Sequence, residues 1–178
     1  MGYRPPPRKG GSLDPPATLE QRQAIEEFKR LRGTEPFGPF IPLLHSPELL
    51  TRVSALGEYL RFRSALAPRL SELVILITAA HWRQQYEWDV HAPIALNSGV
   101  QPSTIDALAA GRRPPELGED EAALFELCRA VHDRQIVPDA VYGRALQAVG
   151  ERGVIDAVGL CGYYAMLAAV LNTAPTGT

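Results

Sequence analysis

Glu72 heads the apolar run Leu73-Val74-Ile75-Leu76-Ile77-Thr78-Ala79-Ala80, a segment hydrophobic nearly all round when wound as a helix. A helix of that kind is buried on every side, and a bare carboxylate inside it costs several kcal/mol or more. Glu72 must therefore be paired, hydrogen-bonded or neutral. The next segment, Gln84-Gln85-Tyr86-Glu87-Trp88-Asp89-Val90-His91, supplies a partner. Glu87 and His91 are four residues apart and Gln84 and His91 seven, so on one helix they share a face, with Trp88 beside it. A carboxylate against one imidazole nitrogen fixes the tautomer and leaves the other nitrogen free to give or take a proton. The spacing alone also fits a packing interaction that merely holds two helices together.

The rest of the chain reads as helix after helix. Thr18 starts a polar helix over 18–32 with Ala24, Ile25, Phe28 and Leu31 on one face, and Gly33 ends it. Pro36-Phe37-Gly38-Pro39-Phe40-Ile41-Pro42 reads as an extended connector. Ser46-Pro47-Glu48 combines an N-cap hydroxyl, a first-turn proline and an acid near the positive helix end, predicting a helix to about 63. Further helices are expected over 68–83, 86–98, from about 102 to before Gly111, and over 119–134, 138–149 and 151–172. Pro93 predicts a kink or break in the helix over 86–98, and Gly99 fits the C′ position after it. No segment sustains period-two alternation, so the expected class is an all-α bundle with antiparallel neighbours. Residues 1–17, with five of the sixteen prolines, read as a flexible arm, 18–41 as an added helix and connector, and 42–174 as the main domain.

Composition narrows the partners. A length of 178 residues suits one core-bearing domain. A net charge of −2 gives no electrostatic case for nucleic acid or an anionic membrane. The most membrane-like stretch, 154–171, is interrupted by Asp156, two glycines and a Tyr pair, and reads as a core or subunit-contact helix. The start of the chain shows no signal peptide. Cys128 and Cys161 form no C-x-x-C pair and read as buried free thiols suited to a reducing, cytoplasmic setting. With no H-x-x-x-H or H-x-H spacing, no metal is expected, and with no glycine-rich phosphate loop no nucleotide is. His45, His81 and His132 lack a comparable acidic cluster, and Tyr163-Tyr164 reads as packing or as one hydroxyl on the pocket wall.

Arg69-Leu70-Ser71-Glu72-Leu73-Val74-Ile75-Leu76, then Gln85-Tyr86-Glu87-Trp88 with His91, resembles the signature of the carboxymuconolactone decarboxylase and alkyl hydroperoxidase D-like family. The tail Gly159-Leu160-Cys161-Gly162-Tyr163-Tyr164 with Leu171-Asn172 is similar too. The resemblance spans roughly 42–172 and implies an all-α fold assembled as a trimer or hexamer, a symmetric oligomer, with a pocket beside the motif helix. Peroxidase members of that family carry a C-x-x-C whose positions fall at Gln84 and Glu87 here. The missing thiols argue against peroxide turnover, because a thiol peroxidase needs a thiolate. The decarboxylase-like branch implies cofactor-free loss of CO2 from a small carboxylated lactone or related acid. His91 is then the general acid/base and Glu72 orients it, with Glu87 a second proton carrier or hydrogen-bond partner. Gln84, Arg83, Tyr86, Trp88 and Arg69 are the candidate substrate-binding residues. Two alternatives stand beside this expectation: a thiol antioxidant, and an oligomeric binding protein in which Glu72 and His91 only hold the core.

Overall fold

The helix that Glu72 heads is the centre of the molecule. In the computed structural model, which describes residues 17–133 and 136–173, α4 (Pro68–His81) is buried without interruption from Leu70 to Ala79. An all-round apolar helix needs neighbours on every side, and α4 packs against α5 (Gln85–Asn97), α7 (Glu119–Asp133) and α8 (Asp139–Thr173). The turn into α5 is short because Arg83 takes a left-handed φ of 50°. The Gln84 side chain then accepts from the Tyr86 N–H and caps α5.

All secondary structure among the described residues is helical, as the sequence predicts. α1 (Leu19–Arg32) opens with a reciprocal Thr18–Gln21 capping box and closes on Gly33 at φ 71°. It lies along α3 (Pro47–Phe62), and α6 (Pro102–Ala109) bridges α4 and α5.

Several local expectations are corrected. The connector is not wholly extended: Phe40–Leu43 form a short helix, α2, whose Phe40 packs with Phe28 and Phe37. Aromatic burial against α1 supplies the stability that a four-residue helix lacks. Ser46 does begin α3, but its hydroxyl makes no capping bond; Pro47, which has no N–H to satisfy, starts the helix. Pro93 does not end α5, which continues to Asn97. Its lost hydrogen bond is offset by packing, with Ala95 fully buried two residues on. The two helices expected over 138–149 and 151–172 are found: α8 consists of two helical segments that meet at Gly150, whose φ 71° and ψ 170° are not helical. The arm over 1–17 lies outside the described residues except for Ala17, as does Arg134 at the expected end of α7.

The apolar second half of α8 is long enough to cross a membrane by length and composition, yet more than half of that window is buried in the bundle. Asp156, the charge that interrupts it, is buried and ties three elements together. It accepts from the Tyr59 hydroxyl at 3.0 Å and from the Ala65 N–H at 2.7 Å.

Candidate active site

Glu72 and His91 meet in the buried seam between α4 and α5. Glu72 sits one turn into α4 and His91 halfway along α5, so the tight turn at Arg83 brings them together. Glu72 Oε2 lies 2.7 Å from His91 Nδ1, and both residues are less than a tenth exposed. The carboxylate accepts from Nδ1–H, which leaves Nε2 as the exchangeable position. On that side stand the Tyr164 hydroxyl at 3.2 Å and Glu87 Oε2 at 3.7 Å. The Tyr164 ring meets the imidazole edge-on, with centroids 5.0 Å apart. Arg61, from α3, approaches the far oxygen of Glu72 at 3.7 Å. The two glutamates thus address opposite ring nitrogens, and His91 is the link between them.

Electrostatics separates the two acids. Glu87 is 3% exposed, and burial pushes its carboxyl up to about 7, with Arg61 only partly opposing the shift. A carboxyl that exchanges its proton near neutrality is suited to general acid–base work. Desolvation raises the Tyr164 hydroxyl well above its ordinary range, so it remains a protonated donor.

The elevated Glu87 carboxyl has a consequence for folding. Its proton is held more tightly folded than unfolded, so its contribution to stability is fully present below about pH 4.5 and is lost as pH rises through about 7. Glu87→Gln, which cannot ionise, is expected to gain on the wild type across that window by up to about 3 kcal/mol. Urea midpoints of both proteins at pH 5 and pH 8 measure it. A difference that stays constant with pH would mean that the carboxyl is not desolvated.

Next to Nε2 lies a small cavity of about 30 Å³, lined by His91, Glu87, Tyr86 and Val90 of α5 and by Tyr163, Tyr164 and Leu167 of α8. Its remaining wall is Arg32, Phe37, Pro39, Phe40 and Arg61. Of the expected substrate-binding residues, only Tyr86 reaches this cavity. Arg69 is turned away, its guanidinium bound to Asp120 at 2.7 Å and Glu121 at 2.5 Å. Arg83 is exposed on the turn. Gln84 is committed to the α5 cap and to Asn172 Oδ1 at 2.8 Å, and Trp88 packs against the core. Arg32 and Arg61 were not legible as site residues, because nothing in the spacing of α1 or α3 points toward α5. For Tyr164 the signal was a polar tip in an otherwise apolar helix.

Residues 47–130 match the family model described as "Carboxymuconolactone decarboxylase family". Over these residues, a little under half of the chain, the protein is similar to that family. Arg61, Glu72, Glu87 and His91 fall inside the matched region, whereas Arg32, Phe37, Phe40, Tyr163 and Tyr164 lie outside it. No curated protein and no solved structure matches the chain.

The two thiols, remote in sequence, come together away from this cavity. Cys128 of α7 donates to Cys161 of α8, which also contacts His132 and Thr78. That bond, with burial, raises the Cys128 thiol; accepting it, with His132 close by, lowers Cys161.

Proposed function

We propose that this chain is a cofactor-free acid–base enzyme of the carboxymuconolactone decarboxylase family, acting on a small carboxylated lactone or a related acid. The observation that carries the reading is the buried relay of Glu72, His91 and Glu87, with its exchangeable nitrogen beside a cavity. Loss of CO2 from such a lactone breaks a carbon–carbon bond and leaves the electron pair delocalised into the ring carbonyl. The enolate then needs a hydrogen-bond donor at oxygen and a proton at carbon. Tyr164 and Tyr163 are hydroxyl donors facing the cavity. His91 Nε2 delivers the proton, Glu72 supports the positive ring, and Glu87 returns a proton to Nε2.

The working form is a symmetric oligomer, a trimer or hexamer. Ile155 and Val158, one turn apart on α8, and Phe62 at the end of α3 leave large apolar surface exposed, which supports a subunit contact there.

A carboxylated butenolide incubated with the protein is expected to lose CO2, followed by gas release and by the ultraviolet absorbance of the ring. Hydration or isomerisation without CO2 would keep the acid–base assignment and remove the lyase. If neither the lactone nor related acids change, the relay is a packing feature and the chain a binding protein.

The buried Cys128–Cys161 pair gives the thiol reading its one supporting observation. With the thiols at 0% and 1% exposure, no thiol-dependent peroxide consumption is expected. Consumption abolished by Cys161→Ser would reverse that expectation.

A further inference from the structure

Among the described residues, five buried side-chain polar atoms lack a hydrogen-bond partner: Arg32 Nη1, Arg61 Nε, Glu87 Oε1, Tyr163 Oη and Thr104 Oγ1. The first four all belong to residues lining the His91 cavity. Buried polar groups are nearly always satisfied, and leaving one bare costs about 1–3 kcal/mol, more when it is charged. Four such atoms on residues that surround one small space call for a common cause.

The chemistry of the four defines what they would bind. Arg32 and Arg61 offer N–H donors from two guanidiniums, and Tyr163 offers an O–H that burial holds protonated. Glu87 carries its proton below about pH 7 and then donates as well. Arg61 is partly neutralised by Glu72 at 3.7 Å, but Arg32 pairs with no carboxylate among the described residues and rests on the Phe40 ring at 5.3 Å. Donors thus outnumber acceptors around an excess positive charge, and that arrangement selects an anion with oxygen acceptors. A volume of about 30 Å³ admits one small planar group and not a whole substituted ring.

We propose that Arg32 and Arg61 form a carboxylate-binding subsite of the His91 cavity, completed by a residue from outside the family-matching region. Arg32 is the specificity-determining member. It ends α1, and the connector that follows walls the cavity with Phe37, Pro39 and Phe40. The connector is fixed against the site by close contact: a Cβ on Gly38, at φ 52°, would fall 2.4 Å from the Tyr86 ring. The carboxylate of the ligand enters between the guanidiniums, and its carbon skeleton extends past the connector. The inference rests on the acid–base reading for its consequence in catalysis, but the binding it describes does not depend on turnover.

The experiment titrates the full-length chain with benzoate at pH 6 and constant ionic strength, with benzamide as the uncharged counterpart. The readouts are the affinity and the arginine side-chain NMR resonances. Benzoate is expected to bind saturably, to move the resonances of Arg32 and Arg61 and not those of the exposed Arg52, and to outcompete benzamide at least tenfold. Arg32→Gln is expected to weaken benzoate at least tenfold, Arg32→Lys less, and Arg52→Gln not at all. His91→Gln should still bind. Equal affinity for benzoate and benzamide, or Arg32→Gln indistinguishable from Arg52→Gln, overturns the subsite. Should Arg32→Gln fail to fold, the wild-type resonances decide: no shift at Arg32 overturns the proposal. Benzoate binding without turnover of any acid would retain the subsite and remove the enzyme. Turnover that needs His91 and ignores Arg32 would do the reverse.

Discussion

Replacing His91 by glutamine is expected to lower kcat/KM on the carboxylated substrate about 10²–10⁴-fold, the range associated with a positioned proton carrier. Glutamine keeps a donor near Glu72 but has no group that can take up and release a proton. The pair with His91→Ala is informative because alanine does two things at once. It removes the proton carrier and leaves Glu72 Oε2 without its 2.7 Å partner, with Arg61 at 3.7 Å on the other oxygen. His91→Ala should therefore also lose about 1–3 kcal/mol of folding stability, which His91→Gln should largely retain. Steady-state kinetics and denaturant midpoints on both variants separate the roles. A glutamine variant with unaltered kcat/KM would leave the relay with a packing role only.

Gly57→Ala is expected to destabilise the fold by about 1–3 kcal/mol or more, as overpacking of a closed core does. The added Cβ would stand 2.0 Å from the Tyr163 hydroxyl and 2.5 Å from its Cζ. Tyr163 is 3% exposed, so its ring cannot swing into solvent, and the strain must pass into α3 or α8. For a chain of this size the shift in Tm is about 3–10 °C downward, read by calorimetry. Because the hydroxyl is the nearest atom and has no partner, Tyr163→Phe in the Gly57→Ala background should recover part of the loss. An unchanged Tm in the single variant would show that α3 and α8 are not in contact at this point.

These two sites differ in how far the sequence exposed them. The Glu72–His91 pairing was legible because it follows from two local rules. A helix apolar on every side is buried, and a buried carboxylate demands a partner, which the adjoining helix offered at helical spacing. Gly57 gave no such signal. A glycine in the middle of a helix is legible only as a loss of helix propensity; that it admits a tyrosine ring depends on α8, about a hundred residues further on. The same holds for the arginines. Arg69 stood in the motif with Glu72 and was a candidate substrate-binding residue, yet its guanidinium is held by Asp120 and Glu121, while Arg32 and Arg61 reach the cavity.

Pro93 and Ser46 show the same limit at the local level. Proline removes one helical hydrogen bond, a cost of about 3 kcal/mol in isolation, and burial of the flanking α5 residues outweighs it. A capping hydroxyl is one way to start a helix, but α3 begins without one because Pro47 has no N–H to satisfy. The short helix α2 could not be inferred from a Pro-punctuated segment, since its stability comes from the Phe28–Phe37–Phe40 contacts and not from its own four residues.

The chain by itself determined the helical class, the order and approximate limits of the helices, and the carboxylate–imidazole pair. All of these arise from period, capping and desolvation, which act within a few residues or between neighbouring helices. Only the tertiary structure decided which cations face the imidazole, that two distant cysteines touch, and that a connector ahead of the family-matching region walls the cavity. Those outcomes depend on the side chains that α1, α3 and α8 bring to the α4–α5 seam, and periodicity within one helix carries no information about what packs against it.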